Sequence, residues 1–291
     1  MSWTNYHSHC HYCDGKYAPE EYVKSSLEKG LVAYGFSSHA PVPFDCVWTM
    51  KPESAHAYVA EIRELQQAYQ RDIELYCGLE VDYIPGVTGP KSLPVLDLGL
   101  DYTIGSVHFV DAFPDGKRWE IDGSHQVFLD GLQQIFRGDI RQAVSRYFEL
   151  TRQMIEQECP DVIGHIDKIK IQDEEGALFS QQAGWYRQEL EQTLRLIADV
   201  GAIIEVNTRG IYKKKTSQTY PGKWALEKMK ALGIPITINS DAHHPEEIIL
   251  QFEDTAVLLA SVGYKQVSVL LNGKWQQVNF DQTGLLHTVT S

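Results

Sequence analysis

Eleven histidines punctuate the chain, and two of them, His7 and His9, stand two positions apart almost at its start. Side chains alternate along an extended segment, so positions i and i+2 face the same way and two imidazoles there can grip one cation. Near the other end Asp241 and His243 repeat the spacing with one carboxylate and one imidazole. Between these pairs lie His39, Glu80, His108, His165 and Asn207, each at or near the end of a short apolar run. Glu80 follows Leu75-Tyr76-Cys77-Gly78-Leu79, where an unpaired carboxylate would be costly and a metal partner would remove the cost. Imidazole mixed with carboxylate suits zinc, manganese or iron. An isolated histidine is more often a hydrogen-bonded core residue, and His56, His125 and His287 take that reading because they lie away from any strand end. His11 and His244 neighbour stronger candidates and would support them. Cys10 and Cys13 form a C-x-x-C, the half-site of a zinc ribbon or a redox motif, but no second C-x-x-C exists to complete it.

The elements that must position these groups follow from periodicity. Residues 3–6, 31–37, 73–80, 102–109, 161–167, 202–207 and 234–241 read as seven strands. Between them run amphipathic stretches: one opened by Pro19 and closed by Gly30, one starting at Pro52, and others over 125–136, 139–157, 185–201 and 223–233. Such alternation argues for parallel strands with crossover helices, and seven units argue for a closed or nearly closed (β/α) barrel. In barrels of this kind functional groups sit at the C-terminal ends of the strands. His7 and His9, His39, Glu80, His108, His165, Asn207, and Asp241 with His243 occupy those ends, one strand after another. The C-terminal segment departs from the pattern: Asn272-Gly273 between two alternating runs signals a β-hairpin.

Composition bounds the function. The chain has 291 residues, 43% of them hydrophobic, with no linker, repeat or low-complexity stretch, so residues 1–291 read as one domain. Neither a signal peptide nor a membrane span is recognisable, which makes a soluble cytoplasmic protein the expectation. Five scattered cysteines fit free thiols in a reducing compartment. A net charge of −13 argues against nucleic acid and anionic lipid as partners. It also leaves a phosphate-bearing substrate in need of local positive charge, which bound metal ions can supply.

The motifs His7-Ser8-His9 with Asp14-Gly15, Ser38-His39-Ala40-Pro41, Gly78-Leu79-Glu80, Gly105-Ser106-Val107-His108, Gly164-His165-Ile166-Asp167 and Asn239-Ser240-Asp241-Ala242-His243 together resemble the polymerase and histidinol phosphatase (PHP) superfamily. The segments SSHAP and GSVHF resemble its histidinol-phosphate phosphatases in particular. The resemblance implies a distorted (β/α)7 barrel with three divalent metal ions. The first would take His7, His9, Glu80 and Asp241; the second Glu80, His108 and His165; the third Asp14, His39 and His243. It implies attack on phosphorus by a metal-bridging hydroxide, with Glu80, Asp241 and His243 at the catalytic centre. A small-molecule ester is the implied substrate, L-histidinol phosphate first. Arg209 and Lys213, in the loop after the sixth strand, are candidate phosphate contacts beside His39, since arginine suits bidentate recognition of phosphate. Trp48, Phe109 and Trp119 would flank the substrate or pack locally. Two alternatives remain open: a PHP enzyme acting on another small phosphate ester or a phosphodiester, and a metal-dependent amidohydrolase. A non-catalytic metal-binding module is weakened by the absence of any additional domain. The oligomeric state is open.

Overall fold

The computed structural model describes residues 2–173 and 176–286. His287 therefore lies outside the described residues. The strands are β1 (Thr4–Asn5), β2 (Ala33–Phe36), β3 (Glu74–Asp82), β4 (Tyr102–Ser106), β5 (Phe109–Ala112), β6 (Arg118–Glu120), β7 (Val162–Ile163), β8 (Ile203–Asn207), β9 (Ile236–Asn239), β10 (Gln266–Leu271), β11 (Lys274–Asp281) and β12 (Gly284–Leu285). The helices are α1 (Pro19–Glu28), α2 (Ala55–Ala68), α3 (Leu93–Leu96), α4 (His125–Phe136), α5 (Ile140–Glu158), α6 (Gly184–Val200), α7 (Arg209–Tyr212), α8 (Lys223–Ala231) and α9 (Phe252–Val262).

Seven strands form one parallel sheet in the order β1-β2-β3-β4-β7-β8-β9. Its two edges meet through the parallel bridge Ser8–Ala242, with His9 N donating to Ala242 O at 2.7 Å and Ala242 N to His7 O at 3.2 Å. The sheet is thus drawn into the expected (β/α)7 barrel, distorted because β1 and β7 are two residues long and the seam is a single bridge. Local chemistry explains the elements. Pro19 opens α1 with Glu20 and Glu21 in its first turn. Asp139 caps α5 by accepting from Gln142 N at 3.1 Å.

Tyr102 fills the barrel interior, its hydroxyl reaching the carbonyls of Tyr6 and Phe36 at 2.5 and 3.0 Å. The ring passes so close to Gly78 that an added Cβ would lie 2.6 Å from it, so only glycine fits there. Asn272 and Gly273 both have positive φ, 52° and 68°, as a two-residue type I′ hairpin turn requires. The C-terminal hairpin gains a third strand, because β12 pairs with β11 and Leu285 N donates to Ser2 O at 2.8 Å. Two further departures from the sequence reading bear on the site. The run 102–109 is not one strand: it breaks at Val107-His108, and β5 turns away to pair with β6 as an antiparallel hairpin. Helix α9, unmarked in the periodicity reading, packs against β9 and β11. Among the described residues no helix is long and apolar enough to cross a membrane.

Candidate metal centre

Every strand end delivers its side chain to one rim. His7 and His9 follow β1, His39 follows β2, Glu80 lies within β3, His108 and His165 follow β4 and β7, and Asp241 and His243 follow β9. All are nine-tenths or more buried. Glu80 is the hub. Its Oε2 lies 3.1 Å from His7 Nε2, 3.5 Å from His9 Nε2 and 3.0 Å from His39 Nδ1. Its Oε1 lies 2.9 Å from His165 Nε2 and 3.7 Å from His108 Nε2, and accepts from Ser106 Oγ at 2.6 Å. Asp241 Oδ1 is 3.2 Å from His9 Nε2 and 3.8 Å from His7 Nε2. On the outer side Asp14 reaches His243 Nε2 at 3.2 Å and His39 Nε2 at 3.9 Å.

These donors fall into three overlapping groups whose ligand atoms lie within 4.8 Å of one another: His7, His9 and Asp241; His39, Glu80 and His108; and His9, Asp14, His39 and His243. His9 and His39 each belong to two groups, where the sequence reading shared only Glu80 between its ligand sets; His39 joins Glu80 as well as Asp14, and His165 falls in none of the three. His7 Nε2, His9 Nε2 and His39 Nδ1 are buried and make no hydrogen bond, although they point into a nest of carboxylates. Buried polar atoms normally find partners, so nitrogens gathered without one fit a cation. The tautomers agree. His7 Nδ1 is held by Glu205 Oε1 at 2.6 Å and His108 Nδ1 by Asp82 Oδ1 at 3.0 Å, which turns each Nε2 inward as carboxylate–histidine–metal arrangements do. The residues present fit divalent metal.

Electrostatics point the same way. Burial alone would raise the Glu80 carboxyl, yet His7, His39 and His108 hold it well below its ordinary value. Burial, then His243 and His39, push His9 well down, and burial with Lys168 lowers His165. Both imidazoles therefore stay neutral, the form that ligates metal. His7 and His108 are the exceptions: burial works downward on both, but Glu205, Glu80 and Asp241 lift His7 well above the usual range, and Asp82, with Glu80 and Asp122, lifts His108 to about 9. The field of these carboxylates calls for positive charge at those points. Asp241 itself adopts a left-handed backbone (φ 54°), a strained geometry for a non-glycine residue. Arg209 Nη1 and the Tyr212 hydroxyl hold its carbonyl at 2.7 and 3.2 Å, and Asn207 Nδ2 donates to its carboxylate at 3.2 Å.

A cleft of about 210 Å³ opens over this rim, lined by Asp14, His39, Trp48, His108, Glu120, Asp122, Lys168, Arg209, Asp241 and His243 among others. Arg209 lies in it as expected, although its guanidinium also serves Asp241. Lys213 corrects the sequence reading: it pairs with Glu247 and does not line the cleft, because the short helix α7 turns it outward. Trp48 borders the cleft and stacks on Phe109 with ring centroids 5.3 Å apart. Trp119 is fully buried against Phe128 and Phe136 and flanks nothing in the cleft. His56, His125 and His11 are exposed rather than core residues. His244 caps a short 3-10 turn by accepting from Glu246 N. Cys10 and Cys13 are free thiols, and Cys13 Sγ lies 3.6 Å from His9 Nδ1.

Four functional positions escaped the sequence reading. Glu205 and Asp82 carried a usable signal, since each stands two residues from a recognised strand-end group and so faces the same way. Lys168 and Asp122 carried none. Lys168 is buried, 3.1 Å from His108 Nε2 and 2.9 Å from Asp122. Burial opposes its charge, but Asp122, Asp241 and Glu80 together outweigh it and keep the amine cationic.

A model of the PHP domain matches residues 5–209, and the chain belongs to that family. A probable histidinol-phosphatase of Deinococcus radiodurans is 29% identical over 256 residues, covering 86% of this chain and 89% of that protein. The histidinol-phosphatase of Bacillus subtilis is 26% identical over 247 residues, 80% of this chain and 90% of its own. In fold the chain is similar to the histidinol phosphate phosphatase of Lactococcus lactis, solved with zinc, L-histidinol and phosphate (TM-score 0.68, 20% identity, 99% of this chain and 100% of that one). It is likewise similar to a histidinol phosphatase structure from Listeria monocytogenes (TM-score 0.73, 22% identity, 86% and 99%).

Proposed function

We propose that the chain is a single-domain phosphomonoesterase that hydrolyses L-histidinol phosphate to L-histidinol and phosphate, a step of histidine biosynthesis in the cytoplasm. The observation that carries this reading is the set of buried, unpartnered imidazole nitrogens converging on Glu80 and Asp241 beneath a cleft that also holds two cationic side chains. The names of the relatives supply the substrate.

Three divalent ions would be held by His7, His9, Glu80 and Asp241; by Glu80, His108 and His165; and by Asp14, His39 and His243. Bound there, they would supply charge neutralisation of the phosphoryl oxygens and a water made acidic near neutral pH. The chain's own residues do the positioning. Glu205 and Asp82 lock His7 and His108 with Nε2 inward, and Asn207, Arg209 and Tyr212 fix Asp241. The Lys168 ammonium, braced by Asp122, and the Arg209 guanidinium face the cleft and bind the phosphoryl group. Trp48, backed by Phe109, borders one side of the cleft. The overall charge of −13 is no obstacle, because ions held by this ligand set would concentrate positive charge in one place.

Steady-state assay of the metal-loaded protein, with metal analysis on the same sample, tests the reading. L-Histidinol phosphate should be preferred over a generic aryl phosphate, at about three metals per chain. Equal efficiency on both esters would sink the substrate; one or two metals per chain would favour amidohydrolase chemistry instead.

A further inference from the structure

The cleft wall opposite the barrel carries a carboxylate that phosphate binding alone does not call for. In β6 the side chains alternate: Trp119 is buried beneath α4, while Arg118 and Glu120 emerge on the other face. Glu120 stands opposite Phe109, the residue after His108. Trp48 Nε1 donates to Glu120 Oε2 at 2.9 Å, and the same indole ring lies 4.6 Å from His39 and 5.5 Å from His108, centroid to centroid. Glu120 is thus one indole away from two proposed ligands. Asp122, two residues on, is neutralised by Lys168, whereas Glu120 has no ion pair among the described residues. An unneutralised negative charge beside the path of a phosphate dianion repels it, unless the substrate brings a positive charge to the same point.

Trp48 and Glu120 also line a second, larger cavity of about 590 Å³, which adjoins the first through them and is walled by Phe44 and Phe109, with Asp45, Lys117 and Arg118 also along its lining. An ester whose phosphoryl group sat over the metal rim would have room for its alcohol past Glu120, in this vestibule of aromatic and charged side chains. We propose that Glu120, oriented by Trp48, receives the cationic amino group of the leaving alcohol and selects phosphate monoesters of amino alcohols over uncharged ones. The assignment rests on reading the cleft as a phosphomonoesterase site.

The test compares kcat/KM for 2-aminoethyl phosphate and ethyl phosphate in metal-loaded wild type, Glu120→Gln and Trp48→Phe, each checked for equal metal content. The wild type should favour the aminoethyl ester by roughly tenfold or more, chiefly through KM. In Glu120→Gln that ratio should collapse toward one, and in Trp48→Phe it should fall partway. A ratio that survives in Glu120→Gln, or a parallel loss on both esters, overturns the assignment. A wild type that hydrolyses both esters equally well overturns it while leaving the phosphatase reading intact. A wild type that hydrolyses no phosphate monoester, L-histidinol phosphate included, overturns both.

Discussion

Tyr6 and His7 are neighbours in the chain, both fully buried, yet their polar atoms fare in opposite ways. The Tyr6 hydroxyl donates to Leu270 O at 2.8 Å and accepts from Leu270 N at 2.9 Å, stitching β1 to the C-terminal sheet. Its ring packs edge-on against Tyr76, Tyr102 and Trp275. His7, pointing to the other side, has one nitrogen on Glu205 and the other left without a hydrogen bond between Glu80 and Asp241. Alternation along one extended segment thus separates a position that builds the barrel from one that serves chemistry. Satisfied polar groups mark structure, and the cost of unsatisfied ones marks a place where a ligand completes the count.

The sharpest way to break that contrast is at the rim. Asp241→Ala or His9→Ala should cut turnover by at least ~1,000-fold, about 4 kcal/mol of lost transition-state stabilisation, while far-UV circular dichroism stays native. Retained turnover would show that the rim is ornamental. Metal removal comes next. If ions complete the unpartnered nitrogens, stripping the protein with a chelator should lower Tm by roughly 5–10 °C, and adding zinc or manganese should restore it. An unchanged Tm would mean that the folded state binds no metal tightly. Glu205→Gln is subtler, because Glu205 acts behind the ligands: it holds the far nitrogen of His7 and accepts from His165 N, Asn207 Nδ2 and Asn239 Nδ2. Metal affinity measured by competition with a chromophoric chelator should fall ~10- to 100-fold, with the barrel intact; equal affinity would leave Glu205 a structural residue.

The same contrast explains what was legible in the sequence. Strand-end histidines announce themselves because imidazoles rarely punctuate apolar runs, and His7/His9 and Asp241/His243 show their common facing by spacing alone. The barrel follows from the alternation of short apolar runs with amphipathic stretches. Glu205 shows in the strand run AIIEVN only its shared facing with Asn207; its partner is not legible, because the fold brings His7 to it across 198 positions. Lys168 and Asp122 meet across the crossover between β4 and β7, a proximity no periodicity encodes. The β5–β6 hairpin was concealed because residues 102–109 form one continuous β-type run, and only the bend at Val107-His108, where the imidazole turns toward Asp82, splits it. Lys213 misled for the opposite reason: its place in the loop after the sixth strand suggests a phosphate contact, but α7 directs it to Glu247.

The smallest predicted effect lies on the structural side of the contrast. Tyr6→Phe keeps the ring and its edge-on packing but strips the hydroxyl from Leu270, leaving a buried amide and carbonyl unpaired. Stability should fall by about 2 kcal/mol, read as a lower denaturant midpoint at unchanged m-value. Because Tyr6 faces away from Glu80, kcat and metal content at 25 °C should match wild type. If Tyr6→Phe instead lost metal while stability held, the two faces of the segment that follows β1 would be coupled through the backbone, and the division of labour between them would have to be abandoned.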